Sequence, residues 1–308
     1  MHYKVPTTVL ITGASGFIGR GLQAFLLSNN IDKQYKIILL SSKQNDRFTT
    51  VDPLGYSFSL ETFVKNGINK IDIVIHLGAF TPKTSGDANN YYLSFSNINN
   101  TFHLINNLPN TPGKCVFIST IDVYHTEQNK TIDEHTIAIP KSLYGWSKLY
   151  CEKMLKQWSD EKEVCLQILR LGHIYGKGED AYQKIIPLTI KNILNNSAPK
   201  IYTNGTELRS FLNISDCSRL IWQSLFLDSY NGPVNIASSH SITVIDLVNL
   251  IIKLSGSVLK PEFVQGNCEA MDYVFNVDKM HKLLGSESVS LTDGLSEEID
   301  YIKGKMHD

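Results

Sequence analysis

A chain of 308 residues, 42% hydrophobic and 19% charged, is long enough for about two ordinary domains and is not the composition of a disordered segment. Twenty-nine basic against 30 acidic side chains leave a formal charge of −1, which provides no basic field for nucleic acid. Apolar runs stop at strand length, well short of the roughly 20 residues that span a membrane.

Residues 7–12 form a compact apolar strand, and residues 17–27 carry helical spacing through Phe17, Ile18, Leu22, Phe25 and Leu26. Residues 35–40 and 71–77 are apolar without alternation, as parallel strands covered on both faces should be. A weaker strand is expected near 49–51, a long helix over 88–108 and a strand over 115–120. A polar loop over 122–141 then leads to a helix over 143–158 and a strand over 164–171. Strand and helix in this alternation predict the α/β class, a Rossmann-type doubly wound parallel sheet with ligands at the strands' carboxyl ends.

Past Tyr175 the pattern loosens. Helices are expected over 181–194, 216–226 and 244–254, and short strands at 201–202, 210–214 and 234–237. Short elements at 273–277, 279–284 and 291–302 finish the chain. The division that follows is a Rossmann-type domain over 1–175 and a smaller α/β lobe over 176–308, with residues of about 210–240 returning to the first. Residues 1–4 lead into the first strand without an apolar signal segment, so a cytoplasmic protein is expected. The scattered cysteines Cys115, Cys151, Cys165, Cys217 and Cys268 read as reduced and structural.

Thr12-Gly13-Ala14-Ser15-Gly16-Phe17-Ile18-Gly19 stands between the first strand and the first helix. There Gly13 takes the tight turn, Gly16 admits a pyrophosphate, Gly19 lets helix and sheet pack closely, and the helix N-terminus faces the phosphates. The second strand ends Ser41-Ser42-Lys43 with no carboxylate before Asp46. Small hydroxyls and a lysine favour the 2′-phosphate of NADP over the bare ribose of NAD, although Asp46 on the long loop leaves NAD possible.

Tyr144 and Lys148, four residues apart, share a helix face. A phenol titrates near 10 and is a poor base until a nearby ammonium favours its phenolate. Tyr144 would then exchange a proton with an alcohol or carbonyl, with Thr120 at the end of the fifth strand holding the same oxygen. Ser119, on the opposite strand face, is expected to pack.

With the segments Asp72–Ala79, Asn97–Thr101, Phe117–Thr120, Val123-Tyr124, Leu169–Gly176, Asn204–Phe211, Ser215-Asp216, Val234–Ile236 and Asp278–Gly285, these motifs run in one order along nearly the whole chain. The chain resembles the extended short-chain dehydrogenase/reductases, in particular the nucleotide-sugar epimerases, dehydratases and reductases. The resemblance implies a catalytic set of Thr120, Tyr144 and Lys148, with Leu77, Gly78 and Ala79 along the cofactor and Asn97 supporting the site. It places Thr81, Thr120, Asp122, His173 and Arg209 toward a nucleotide sugar, and a homodimer built on the two long helices. Ion pairing of Arg209 with Asp216 or Glu207 is its structural alternative. Relatives that dehydrate sugars carry Asp-Glu after the threonine; Ile121-Asp122 stands here, and Ile121 transfers no proton. Glu269 occupies a position, three before Asp272, where many UDP-sugar epimerases have arginine. The expected activity is 4-keto reduction or 4-epimerisation of a nucleotide-linked sugar. The alternatives are reduction of a smaller carbonyl compound and a non-catalytic dinucleotide-binding protein. No metal, nucleic acid or membrane is called for.

Overall fold

A computed structural model describes residues 6–84, 86–125, 131–264 and 271–306. Two compact units emerge, one of residues 1–124, 138–170 and 218–234, the other of 125–137, 171–217 and 235–308.

In the first unit, β1 (Thr8–Thr12), β2 (Lys36–Leu40), β3 (Thr49–Val51), β4 (Ile73–His76) and β5 (Lys114–Thr120) lie in the order β3-β2-β1-β4-β5. The sheet is extended by Cys165–Leu171 and then Val234–Ile236 to seven strands. β1 pairs in parallel with both β2 and β4, β2 with β3, and β4 with β5. The order reverses between β1 and β4, which opens a crevice at their carboxyl ends. The unalternating apolar runs are the cause: Val9, Leu10 and Ile11 are wholly buried, with helices on the faces of the sheet. Leu10, Ile38, Phe63, Val74, Phe117 and Leu155 share one core cluster.

The second unit packs helices Ile185–Leu194, Val244–Leu254 and Leu291–Lys305 around Ile190, Val248, Ile251 and Leu295. Its three-stranded sheet places His173–Tyr175 in parallel beside Leu208–Asn213, which runs antiparallel to Ser241–Thr243. Where the sequence suggested a division at 175, the two contact units divide after residue 170. Residues 173–175 are held by Phe211–Asn213, so the chain leaves the first unit after Arg170. The returning segment is 218–234, narrower than about 210–240, and residues 125–137 belong to the second unit because Thr131–Ile132 pairs with Val274–Phe275.

Some elements were illegible. Helix Leu60–Lys65 has six residues, too few for a period, and rests on a capping box between Ser59 and Thr62. The motif helix runs Leu143–Lys162, one turn past its apolar stripe, to Glu163 in the left-handed region at φ 56°. Among the described residues no helix is long and apolar enough to cross a membrane. Cys115, Cys151, Cys165 and Cys217 are free thiols; Cys268 and Glu269 lie outside the described residues.

Candidate active site

The glycine loop joins β1 to helix Phe17–Ser28. Gly13 has φ +64°, and a Cβ there would stand 2.6 Å from the Gly78 nitrogen. A Cβ on Gly19 would stand 2.5 Å from the Gly13 carbonyl oxygen and 2.6 Å from that of Ala14. Both positions therefore need glycine, one for conformation and space, the other for space alone. Gly16 is the N-cap, contributes no side-chain cap, and donates its N–H to Gly13 O at 3.0 Å. The helix behind it begins with N–H groups directed outward and no acidic residue in its first turn. This cradle fits a dinucleotide diphosphate. Phe17 is buried, Ile18 half-buried and Ser15 exposed. Arg20, which the motif reading passed over, donates from Nη1 to Ser15 O at 2.6 Å and sets a cation on the loop.

At the end of β2, Ser41 is buried. Its N–H donates to Val51 O, and its hydroxyl accepts from Lys43 N at 3.0 Å. Ser42, Lys43 and Asp46 are exposed. Leu77 and Ala79 are half-buried, while Gly78 is buried and donates to Thr12 Oγ1 at 2.9 Å.

A directional chain of hydrogen bonds lies beneath these loops, and the sequence had not marked it. His76 Nδ1 is 2.7 Å from Thr12 Oγ1 and Nε2 is 3.0 Å from Thr101 Oγ1. Thr101 gives its one proton to Asn97 O at 2.7 Å, so its oxygen accepts from the ring. The ring proton therefore sits on Nε2, and Nδ1 accepts from Thr12. Burial first, and then the positive charge of Lys148, pull the His76 pKa down to about 3, so the ring is neutral. Asn97 accepts from Phe80 N at 2.7 Å and donates to Ser147 Oγ at 3.0 Å, which ties the long helix Tyr91–Asn106 to the motif helix.

Ser142 caps the motif helix by accepting from Gly145 N at 3.1 Å, so Tyr144 falls in the first turn. Tyr144 is buried, edge-on to Phe80 with centroids 6.3 Å apart. One turn on, Lys148 is 3% exposed, and its ammonium lies 4.2 Å from the centroid of Phe117. Burial pulls its pKa down to about 8, with Cys151 and Glu152 offsetting part of that cost. Thr120 ends β5 on the strand against which this helix packs; its hydroxyl accepts from Asp122 N at 3.2 Å. Thr120 thus stands at the carboxyl end of β5 in the first unit, and Tyr144 and Lys148 lie on the first turns of the helix that packs on that strand. Ile121 is buried, while Asp122 and Thr81 are exposed.

Ser119 donates to Glu152 Oε1, on the motif helix, at 2.5 Å. Glu152 accepts two further bonds from Arg170, from Nε at 3.0 Å and Nη2 at 2.6 Å, and Arg170 Nη1 donates to Tyr124 Oη at 2.8 Å. Four residues past Lys148, Glu152 was recoverable from helical spacing; its strand partner Arg170 was not.

His173 and Arg209 belong to the second unit. His173 packs its ring against Phe211 and Tyr273, with centroids 5.8 and 5.0 Å away. Burial, and then Arg209 and Lys184, hold its pKa near 3, so it is neutral. Arg209 lies over the other side of the same assembly, 5.0 Å from the Tyr273 centroid, and donates to the carbonyls of Leu208 and Met271. Tyr273 joins two residues picked from the sequence and was itself missed. Asp216 accepts from Ser288 and Val289 and holds that loop.

An uncharacterized UDP-glucose epimerase of Bacillus subtilis is 28% identical over 96% of this chain and 97% of its own. Human dTDP-D-glucose 4,6-dehydratase is 25% identical over 97% of this chain and 91% of its own. Among solved structures, UDP-glucuronic acid 4-epimerase from Bacillus cereus, in complex with UDP-glucuronic acid and NAD, superimposes with a TM-score of 0.83. It is 25% identical, and the match covers 97% of this chain and 100% of that one. Residues 9–237 match the NAD dependent epimerase/dehydratase family, and the chain belongs to that family.

Proposed function

We propose that the chain is an NAD(P)-dependent enzyme that interconverts an alcohol and a ketone at C4 of a nucleotide-linked hexose, by 4-keto reduction or by 4-epimerisation. The observation that carries this reading is the buried pair Tyr144 and Lys148 on the first turns of one helix, packed on the strand that ends in Thr120, at the sheet edge that holds the glycine loop. A bound nicotinamide supplies the hydride chemistry. Tyr144 exchanges the proton of the reacting oxygen, and Thr120 holds that oxygen with its hydroxyl. Lys148 favours the phenolate and, with the dinucleotide bound, would help to hold it. Buried Ile121 offers no proton to a leaving hydroxyl, which argues for oxidoreduction over dehydration.

At the adenosine end the reading is NADP. Its support is the exposed Lys43 beyond Ser41 and Ser42, with no carboxylate at the end of β2. The B. cereus relative was solved with NAD, so both cofactors enter the test. The protein is heat-denatured and the released dinucleotide identified; NADPH and NADH oxidation are then compared on a 4-keto-6-deoxy sugar nucleotide. Exchangeable cofactor with net NADPH oxidation supports a 4-keto reductase. Stoichiometric NAD with no net turnover, but interconversion of 4-epimers, supports an epimerase. Tyr144→Phe should lower turnover by at least about a hundredfold, the scale of one acid–base group, while dinucleotide binding persists. Unchanged turnover would refute the assigned role.

A homodimer belongs to the same proposal. Tyr91 and Phe95 on one long helix, and Leu143, Trp146 and Tyr150 on the other, are exposed apolar residues along one 460 Å³ groove. Sedimentation should give twice the monomer mass, and Trp146→Glu should lower it.

A further inference from the structure

Between β3 and helix Leu60–Lys65 the chain takes a strained turn. Leu54, Gly55 and Tyr56 have φ of 48°, 64° and 63° in succession, the left-handed region that leucine and tyrosine seldom enter. Hydrogen bonds hold the run: Tyr56 N donates to Pro53 O at 2.7 Å, Ser57 N to Leu54 O at 3.1 Å, and Leu54 N to Asp52 Oδ1 at 2.8 Å. Leu54 gains no burial from this conformation and is 56% exposed. Tyr56 is the residue of the three that turns inward. Its ring lies 6.1 Å from that of buried Phe58 and packs on the core of the first unit.

The tip of that ring meets the turn after β4. A Cβ built on Gly78 would overlap the Tyr56 hydroxyl oxygen and stand 3.1 Å from the ring carbon that bears it. The phenol oxygen thus fills the space that a side chain at 78 would need. Tyr56 also bonds to the Thr12 hydroxyl. Thr12 gives its one proton to His76 Nδ1 and accepts the Gly78 N–H at 2.9 Å, so the phenol is the donor of this third bond. Both lone pairs of the Thr12 oxygen are then taken, and the hydroxyl is held with one of them toward Gly78.

Resting on the dinucleotide reading above, we infer that Tyr56 is a positioning residue for the cofactor, fixing the Leu77–Ala79 turn through the space over Gly78 and through the Thr12 hydroxyl. The dinucleotide then meets a turn already in place, which removes an ordering cost from binding. The left-handed run is the local strain that this placement requires.

The test is calorimetric binding of NADPH and NAD to the full chain stripped of dinucleotide, with amide hydrogen exchange over residues 77–79 of the same apo-protein. Tyr56→Phe keeps the ring and its packing and removes the hydroxyl alone. It should weaken the tighter-binding dinucleotide about fivefold, the scale of one neutral hydrogen bond, and speed exchange at Gly78 by about as much. A tyrosine that only filled the core would move neither, because phenylalanine fills it equally well. On a Thr12→Val background Tyr56→Phe should add less than about twofold, because the acceptor is already gone. Space is tested separately. Gly78→Ala should weaken binding at least about tenfold in the wild type, but less than about threefold beside Tyr56→Leu, which removes the overlapping atom. Unchanged binding and exchange in Tyr56→Phe, or equal losses from Gly78→Ala on both backgrounds, overturns the inference and leaves the proposed activity standing. Failure of the wild-type chain to bind either dinucleotide overturns the cofactor reading and this inference with it.

Discussion

Two turns of one helix treat charge in opposite ways. At Glu152 a buried carboxylate receives three hydrogen bonds, two from the Arg170 fork and one from Ser119. Burial works against the Arg170 charge, and Glu152 more than reverses it, so the arginine pKa stands above its ordinary value. At Lys148, one turn earlier and as deeply buried, the ammonium rests on the Phe117 ring, and among the described residues it makes no hydrogen bond. The first arrangement is complete within the protein. The second carries a desolvation cost that Phe117, Cys151 and Glu152 offset only in part, as expected of a group that awaits a ligand.

Breaking the complete arrangement should have the largest effect. Glu152→Ala leaves Arg170 charged and unpaired, and should cost about 3–5 kcal/mol in chemical denaturation. Replacing both partners, Glu152→Leu with Arg170→Met, should recover much of that loss. A double variant no better than Glu152→Ala would show that the pair is more than a mutually compensated charge.

Removing the partly compensated charge should do the reverse. A lysine pKa lowered from 10.5 to about 8 implies a folding cost on the order of 3 kcal/mol at neutral pH. Lys148→Met should therefore stabilise the apo-protein while lowering turnover. Its folded pKa is depressed, so the cost is full below pH 8 and shrinks as the pH rises toward 10.5; the gain measured for Lys148→Met should shrink over the same window. A destabilised Lys148→Met protein at pH 7 would contradict the comparison.

His76 stands between these extremes, neutral and hydrogen-bonded at both nitrogens. His76→Phe fills the volume but leaves the Thr12 and Thr101 hydroxyls without the ring, and should cost about 2 kcal/mol. Because burial lowers this histidine from 6.5 to about 3, the unfolded chain binds the extra proton between those values. Wild-type stability should fall as the pH drops through that window, with no contribution from His76 above it, and His76→Phe should remove this part of the acid sensitivity.

The two regions were unequally legible. Glycine at 13, 16 and 19 and the Tyr144–Lys148 spacing are local patterns, and the loop and helix that carry them stand where the sequence put them. The doubly wound sheet was legible because strands covered on both faces advertise themselves as unbroken apolar runs. Glu152 with Arg170, and Thr12 with His76 and Thr101, are partnerships across 18, 64 and 25 residues, and no local period announces them. The second unit was harder for the same reason: its strands have two to six residues, and its sheet joins His173–Tyr175, Leu208–Asn213 and Ser241–Thr243 from distant segments.

The next step along the helix sharpens the comparison at its weakest end. Lys156, four residues past Glu152, donates to Asp160 at 2.6 Å, but the two side chains are 36% and 59% exposed. Water already solvates both charges there, so the pair gains little Coulomb energy and loses side-chain freedom. Lys156 also lies 5.2 Å from the centroid of Tyr230, against which its alkyl stem can pack. Asp160→Asn should cost no more than about 0.5 kcal/mol, and less still in 0.5 M salt, because screening removes what attraction remains. Lys156→Met, which keeps the stem, should cost less than Lys156→Ala. The side-chain charge would then matter in the order of burial and pairing along residues 148, 152 and 156. A salt-independent loss above about 2 kcal/mol in Asp160→Asn would break that order, because it would require an exposed pair to act as a buried one does.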